Sequence, residues 1–165
     1  MKVSTREVAL FGILGGLTFA AKVVMMGLPN IEPVSLMVML FAVTFGKKAL
    51  YPIYVYVLLE FVLFGVQLWS VNYLYVWAIL ALAAWILRDM RAPLGWGLLS
   101  GLFGLCFGLL CAPVYLVAGG PAFALSWWIN GIPFDILHCG GNFAMGLFLF
   151  CPLRTWLVRL YNSIL

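Results

Sequence analysis

Apolar runs interrupted by proline, glycine and charge divide the chain into six candidate helices, at about 6 to 27, 34 to 45, 49 to 66, 71 to 87, 94 to 117 and 132 to 153. Most approach the roughly 20 residues that carry an α-helix across a hydrocarbon core. The second is short for a full span. The stretch from Ala118 to Pro133 holds Gly119, Gly120, Pro121, Trp127, Trp128, Asn130 and Gly131. It is too polar and too broken for a helix facing lipid, so an outward loop packed on protein or facing water is expected there. No internal repeat at the spacing of inverted-repeat transporters, no low-complexity tract and no linker interrupts the pattern.

Composition turns this pattern into a class. Of 165 residues, 66% are hydrophobic and 8% charged, and the mean hydropathy is +1.15, far from the roughly one-quarter charge of a soluble domain. The expected fold is an all-α integral membrane protein of six transmembrane helices, one membrane domain over residues 1–165. Too few polar residues remain for an ATPase motor, a nucleic-acid module or a disulfide-stapled secreted scaffold. Lys2 and Arg6 before the apolar run from Val8 imitate a signal peptide, but no A-x-A site follows and more spans do, so this segment reads as the first helix. Cys106, Cys111, Cys139 and Cys151 form no C-x-x-C pair and read as small buried hydrophobes.

The net charge of +4 matters less than where its cations fall. Threading six spans puts Lys2, Arg6, Lys47, Lys48, Arg88, Arg91, Arg154 and Arg159 on one side, which the positive-inside rule makes cytoplasmic along with both termini. Lys22 is the exception, near the outer end of the first helix, where its stem could snorkel to the interface. Trp69, Tyr73, Tyr75, Trp127 and Trp128 are expected in an outer aromatic belt, and Trp85, Trp96 and Trp156 in an inner one.

An ionisable group inside a membrane is functional by default, which singles out Glu60, Asp135 and His138. Asp135, His138 and Asn142 recur at spacings of three and four, so they share a face of the last helix near its outer end. That stripe either glues helices together or lines a ligand cavity. Glu60 lies mid-helix and must be neutral, paired (Lys22 is within reach) or engaged in proton coupling or ligand contact. The segment Asn30-Ile31-Glu32-Pro33, restrained by Pro29 and Pro33, is an ordinary turn or a ligand contact at the outer mouth. Gly12, Gly16 and Ala20 form a small-xxx-small series on the first helix, suited to a docking partner or to close packing within the bundle. His138 and Cys139, adjacent and so about 100° apart on a helix, cannot easily chelate one metal. No hydrolase, metalloprotease, P-loop or dinucleotide motif is present.

The chain resembles the substrate-binding S components of energy-coupling factor (ECF) vitamin transporters over nearly its whole length. The likeness rests on six candidate helices with cytoplasmic ends, Pro-Asn-Ile-Glu-Pro-Val-Ser at 29 to 35, Phe-Gly-Lys-Lys-Ala at 45 to 49, and His138-Cys-Gly-Gly-Asn142 ahead of Pro152-Leu153. The resemblance implies a multi-pass subunit of a prokaryotic cytoplasmic membrane that binds a vitamin from outside and topples in the lipid bilayer. It is driven by a transmembrane T component and two cytoplasmic ATPase subunits, which use the ATP. The S component itself catalyses nothing and holds no cofactor or metal, and no nucleic acid is involved. The family's Ala-xxx-Ala docking pattern has its nearest match in Gly12, Gly16 and Ala20. The ligand region implied by the family falls on Asn30, Trp69, Asn72, Tyr73, Trp127, Asn130, Asp135, His138 and Asn142.

Tyr73-Leu-Tyr75-Val-Trp77 and Trp128-Ile-Asn130-Gly131-Ile-Pro133-Phe134-Asp135 look most like S components for cobalamin. Folate, pantothenate, riboflavin or a similar vitamin is the alternative substrate. Two other classes stay open beside the transporter subunit. An intramembrane enzyme would need Glu60, Asp135 and His138 to converge, and a purely structural membrane subunit needs no polar pocket.

Overall fold

A computed structural model of the chain describes residues 3–28 and 30–164; Lys2 and Pro29, which enter the charge and loop readings above, lie outside them. The described residues are mostly helical and include no strand. In chain order come α1 (Thr5–Met25), α2 (Val34–Phe45), a 3-10 turn (Gly46–Ala49), α3 (Leu50–Phe64), α4 (Leu68–Val71), a second 3-10 turn (Asn72–Leu74), α5 (Val76–Ile86), α6 (Pro93–Leu105) and α7 (Phe107–Ile164). Among the described residues four helical stretches are long and apolar enough to cross a membrane: Thr5–Met25, Val34–Phe64, Leu68–Ile86 and Pro93–Ile164.

Local chemistry sets the helix ends. Ser4 caps α1 in a reciprocal box with Glu7, which satisfies two backbone donors that the first turn leaves free. Pro93 opens α6, at a position where its missing N–H costs nothing. Gly46 (φ 57°) ends α2 and Gly65 (φ 80°) ends α3, each in backbone that a side chain would strain. Gly120 (φ 80°) breaks α7 into two limbs, 107–119 and 121–164.

Aromatic contacts give the direction of each element. Phe11 meets Phe45 at 5.1 Å, so the end of α2 lies beside the start of α1 and the two run antiparallel. Phe11 also stacks on Tyr51 at 5.9 Å, and Phe19 meets Phe64 at 5.9 Å, so α3 runs parallel to α1. α5 returns, with Trp77 beside Tyr56 and the Trp85 indole beside Gly46. α6 and the short limb of α7 ascend together, and the long limb descends against them, with Tyr115 stacked on Trp127 at 3.8 Å and Trp96 on Phe150 at 4.0 Å.

The long limb corrects one expectation. The segment expected as a loop is helical from residue 121 onward. Gly120 makes the whole reversal, Pro121 sits in a first turn that tolerates it, and the Tyr115–Trp127 stack holds the two limbs side by side. Asn130 Nδ2 donates to Ser126 O at 2.7 Å, keeping its amide within its own helix. At about 1.5 Å per residue the limb spans roughly 65 Å, more than the roughly 40–45 Å of a bilayer with headgroups. Two belt assignments also change: Tyr73 and Trp96 are buried. Tyr73 turns toward Lys22 and Trp96 packs in the α6–α7 seam, so neither ring reaches the surface.

That seam is built on glycine. A Cβ added at Gly97 would stand 3.1 Å from Leu147 Cβ, one at Gly101 3.1 Å from Phe143 Cβ, and one at Gly104 2.8 Å from the His138 carbonyl. The small residues bring the backbones together, as small-xxx-small seams do. Because backbone blocks Gly104 and cannot rotate aside, Gly104→Ala is expected to lower the unfolding midpoint in detergent, a loss of about 1–3 kcal/mol. Gly16→Ala is the control, since nothing lies within 4 Å of a Cβ there; equal midpoints for the two variants would contradict this packing.

One end of the bundle gathers cations. Lys48 pairs with Glu7, which also accepts from the Tyr161 hydroxyl. Arg6 reaches the Ile164 carbonyl at 3.3 Å, and Arg154 donates to the Arg88 and Met90 carbonyls.

Candidate functional site

The opposite end carries Glu60, Asp135, His138 and Asn142, all buried. There the loop before α2 turns through Asn30, which adopts a positive φ of 53°, a conformation that asparagine tolerates better than most residues. The loop lies against α7, with Ile31 over Gly141, and Asn142 Nδ2 donates to Ser35 Oγ at 2.9 Å. An open cavity of about 500 Å³ lies beside it. Asn30, Phe107, Trp127, Asn130 and Asp135 are in its lining. Its volume is that of a small-molecule site, and its walls combine aromatic rings with a few polar groups. Two grooves of about 460 and 500 Å³ near Lys47 and Leu50 carry neither carboxylate nor amide.

Asp135 is anchored. Gly108 N donates to both its carboxylate oxygens, at 3.1 and 3.2 Å. Gly108 lies in the first turn of α7, where free backbone N–H groups and the helix dipole favour a negative charge. A Cβ at residue 108 would collide with Asp135 Oδ2, so glycine is what permits this approach.

Below Asp135 the same face carries His138 and then Asn142, 2% and 1% exposed. The His138 ring stands 4.9 Å from Phe107, nearly edge-on, and neither ring nitrogen has a hydrogen-bond partner among the described residues.

A second cluster occupies the same end. Lys22, expected to snorkel outward, instead turns into the bundle and donates to Glu60 Oε2 at 2.8 Å. The Glu60 side chain is fully buried and that of Lys22 13% exposed. The rings of Tyr56, Phe64, Trp69 and Tyr73 surround the ammonium at 5.2 to 5.9 Å, within cation–π range. Glu32 stands in the loop above. Burial raises its carboxyl above the ordinary value; the Lys22 charge opposes that rise and the Glu60 charge adds to it.

The structure therefore brings Asn30, Trp127, Asn130 and Asp135 to one cavity, with His138 and Asn142 directly beneath. It puts Trp69 and Tyr73 in the walls around Lys22. The Tyr75 hydroxyl lies 3.1 Å from the accepting Asn72 Oδ1 and 2.8 Å from the accepting Leu110 O, which ties the turn before α5 to α7. Gly12 and Ala20 are exposed and Gly16 half-buried, and a Cβ at Gly12 or Gly16 would meet nothing within 4 Å among the described residues, so this face leaves room for an approaching helix. Close approach on α1 belongs to Gly15, where a Cβ would come 2.6 Å from Val55.

Sequence reasoning missed Phe107 and Gly108. Their signal was the Gly97, Gly101, Gly104, Gly108 series, which marks the seam that carries Asp135 and His138 on its other side. Among the described residues no group of three or more His, Cys, Asp or Glu side chains is placed to hold a metal ion. Comparison of the chain with protein-family models, curated proteins and solved structures gives no match.

Proposed function

We propose that this chain is the vitamin-binding S component of an ECF-type transporter, a six-span protein of a prokaryotic cytoplasmic membrane with both termini in the cytoplasm. The observation that carries the reading is the cavity shared by Asn30, Trp127, Asn130 and Asp135 at the end of the bundle away from the clustered arginines and lysines. By the positive-inside rule that end faces outward, where an importer captures its substrate. Reversals at Gly46 and Gly120 support six spans from the four long apolar stretches, and the contact between Arg6 and Ile164 supports ends on one side.

The acid and base chemistry favours binding over catalysis. Lys22 takes Glu60 and Gly108 takes Asp135, so neither carboxylate is poised against the other or against His138. The face formed by Gly12, Gly16 and Ala20 suits docking of the T component, with ATP hydrolysed by two cytoplasmic ATPase subunits of the same complex.

The ligand is electroneutral. Glu32, Glu60 and Asp135 stand at the outer end against Lys22, which Glu60 already engages, and an anionic vitamin would meet no free cation among the described residues there. A corrinoid such as cobalamin is the first candidate, its amide-fringed edge meeting Asn30, Asn130 and Trp127 while its bulk fills the open mouth. The cavity volume of about 500 Å³ favours a second candidate, a smaller neutral vitamin such as riboflavin seated wholly inside.

The test is thermal unfolding of the detergent-purified chain with cobalamin, riboflavin, folate and pantothenate. A ligand at 100 times its dissociation constant stabilises the folded state by about 2.7 kcal/mol, so a concentration-dependent rise in midpoint is expected with a neutral vitamin and none with folate or pantothenate. A rise with an anionic vitamin alone would overturn the charge argument, and no rise with any would overturn the reading.

A further inference from the structure

Two apolar grooves at the cationic end of the bundle, of about 460 and 500 Å³, share one rim, for Lys47 and Leu50 line both. The first lies between the Gly46–Ala49 turn and α5, with the small residues Ala78 and Ala81 in its wall and Trp85 at its cationic end. The second follows α3 over Tyr51, Tyr54, Val55 and Leu58, which recur at the three- and four-residue spacing of one helical face. From Leu50 to Leu58, at about 1.5 Å per residue, that face runs roughly 12 Å, most of the roughly 15 Å that one leaflet contributes to a hydrocarbon core. Each groove therefore starts at a charged residue and leads away from it along apolar walls.

The cations at this rim have no carboxylate partner. The ion pairs among the described residues are Lys22–Glu60 and Lys48–Glu7, which leaves Lys47 and Arg88, both exposed, out of any pair. Arg88 is held beside the first groove: its guanidinium lies 5.1 Å from the Trp85 ring and donates to Trp85 O at 3.3 Å. Trp85 is placed in turn by the turn at Gly46, where a Cβ would stand 3.6 Å from the indole Nε1. Of the carboxylates at this end, Glu7 is taken by Lys48 and Tyr161, and Asp89 is exposed beside Arg88. An indole between cations and an apolar groove is the arrangement expected at the level of lipid headgroups.

We propose that Lys47, Trp85 and Arg88 form a binding site for one anionic phospholipid with two acyl chains, its phosphate against the two cations and one chain in each groove. Charge complementarity selects the headgroup, because a zwitterionic lipid brings its own cation to a rim that already holds two. The shape selects two chains. Leu50, 43% exposed, parts the grooves, and a partner helix would lay one continuous face across both. A cation at the membrane surface contributes about fivefold in affinity for an anionic lipid. The site lies at the opposite end of the bundle from the outer cavity, and it rests on the membrane-spanning part of the proposed function and not on the vitamin.

The test counts lipid bound to the full chain in detergent by native mass spectrometry. The probes are dioleoyl phosphatidylglycerol, dioleoyl phosphatidylcholine, single-chain oleoyl lysophosphatidylglycerol and glycerol phosphate. One phosphatidylglycerol is expected to bind about 25-fold more tightly than phosphatidylcholine, the product of two cations, with the single-chain lipid weaker and glycerol phosphate unbound. Lys47→Gln and Arg88→Gln are each expected to weaken phosphatidylglycerol about fivefold. Lys47→Arg keeps the charge, and Arg159→Gln removes an exposed cation that lines neither groove; both are expected to change affinity less than about twofold. Equal binding of the two diacyl lipids, or an equal loss in Arg159→Gln, would reduce the site to unspecific surface charge and overturn the proposal. Single-chain lipid held as tightly as the two-chain lipid would overturn it also, as would binding of glycerol phosphate, which would mark a site for soluble anions. Each of these results leaves the vitamin reading standing, and a chain that binds none of the four vitamins leaves the lipid site standing.

Discussion

Gly16→Leu is expected to reduce vitamin uptake through the assembled transporter to background while changing the affinity of the isolated subunit by less than about twofold. The asymmetry comes from the position of Gly16. A Cβ there would meet nothing within 4 Å, so leucine disturbs no contact inside the bundle and leaves the cavity, on α7 and the loop before α2, unchanged. It would obstruct a helix approaching along Gly12, Gly16 and Ala20. Uptake assayed in proteoliposomes with the T component and ATPases, beside a titration of the subunit alone, separates the two effects. Joint loss of binding and uptake would mean that α1 supports the site itself.

The second large effect concerns the ion pair in the aromatic enclosure. Lys22→Met removes the partner of a carboxylate with no exposed side-chain surface, and stranding a buried charge costs about 3–5 kcal/mol. A marked drop in unfolding midpoint is therefore expected. Adding Glu60→Leu should recover most of the loss, because replacing both members of a buried pair by apolar residues is often neutral. If the double variant is no more stable than Lys22→Met alone, the pair holds α1 to α3 in some way other than charge balance.

Much of this arrangement was legible in the chain. Apolar runs marked the helices because lipid and core both demand them, and the three- and four-residue spacing put Asp135, His138 and Asn142 on one buried face, since helical periodicity is a local property. The pairing of Lys22 with Glu60 was one of several alternatives the sequence left open for a carboxylate in mid-helix. The helix through residues 121 to 133 was not legible. Its Trp, Asn, Gly and Pro content is locally that of a loop, and only the contact of Trp127 with Tyr115, across the Gly120 reversal, makes it a helical hairpin.

The packing of Tyr56, Trp77 and Phe107 against one another was equally hidden, because aromatic residues at helical spacing read as core and their contact depends on how three separate helices meet. Tyr73 shows the same limit, since nothing near it in sequence distinguishes a belt tyrosine from one walling a buried ammonium.

Membrane vesicles containing this chain alone, without T component or ATPases, test the central claim most directly. Radiolabelled cobalamin and riboflavin are added to right-side-out and to inside-out preparations, and retained label is counted after rapid filtration. Capture from the outer face predicts saturable binding of one of the two by right-side-out vesicles and none by sealed inside-out vesicles. Saturable binding confined to inside-out vesicles, or to neither preparation, would contradict the account.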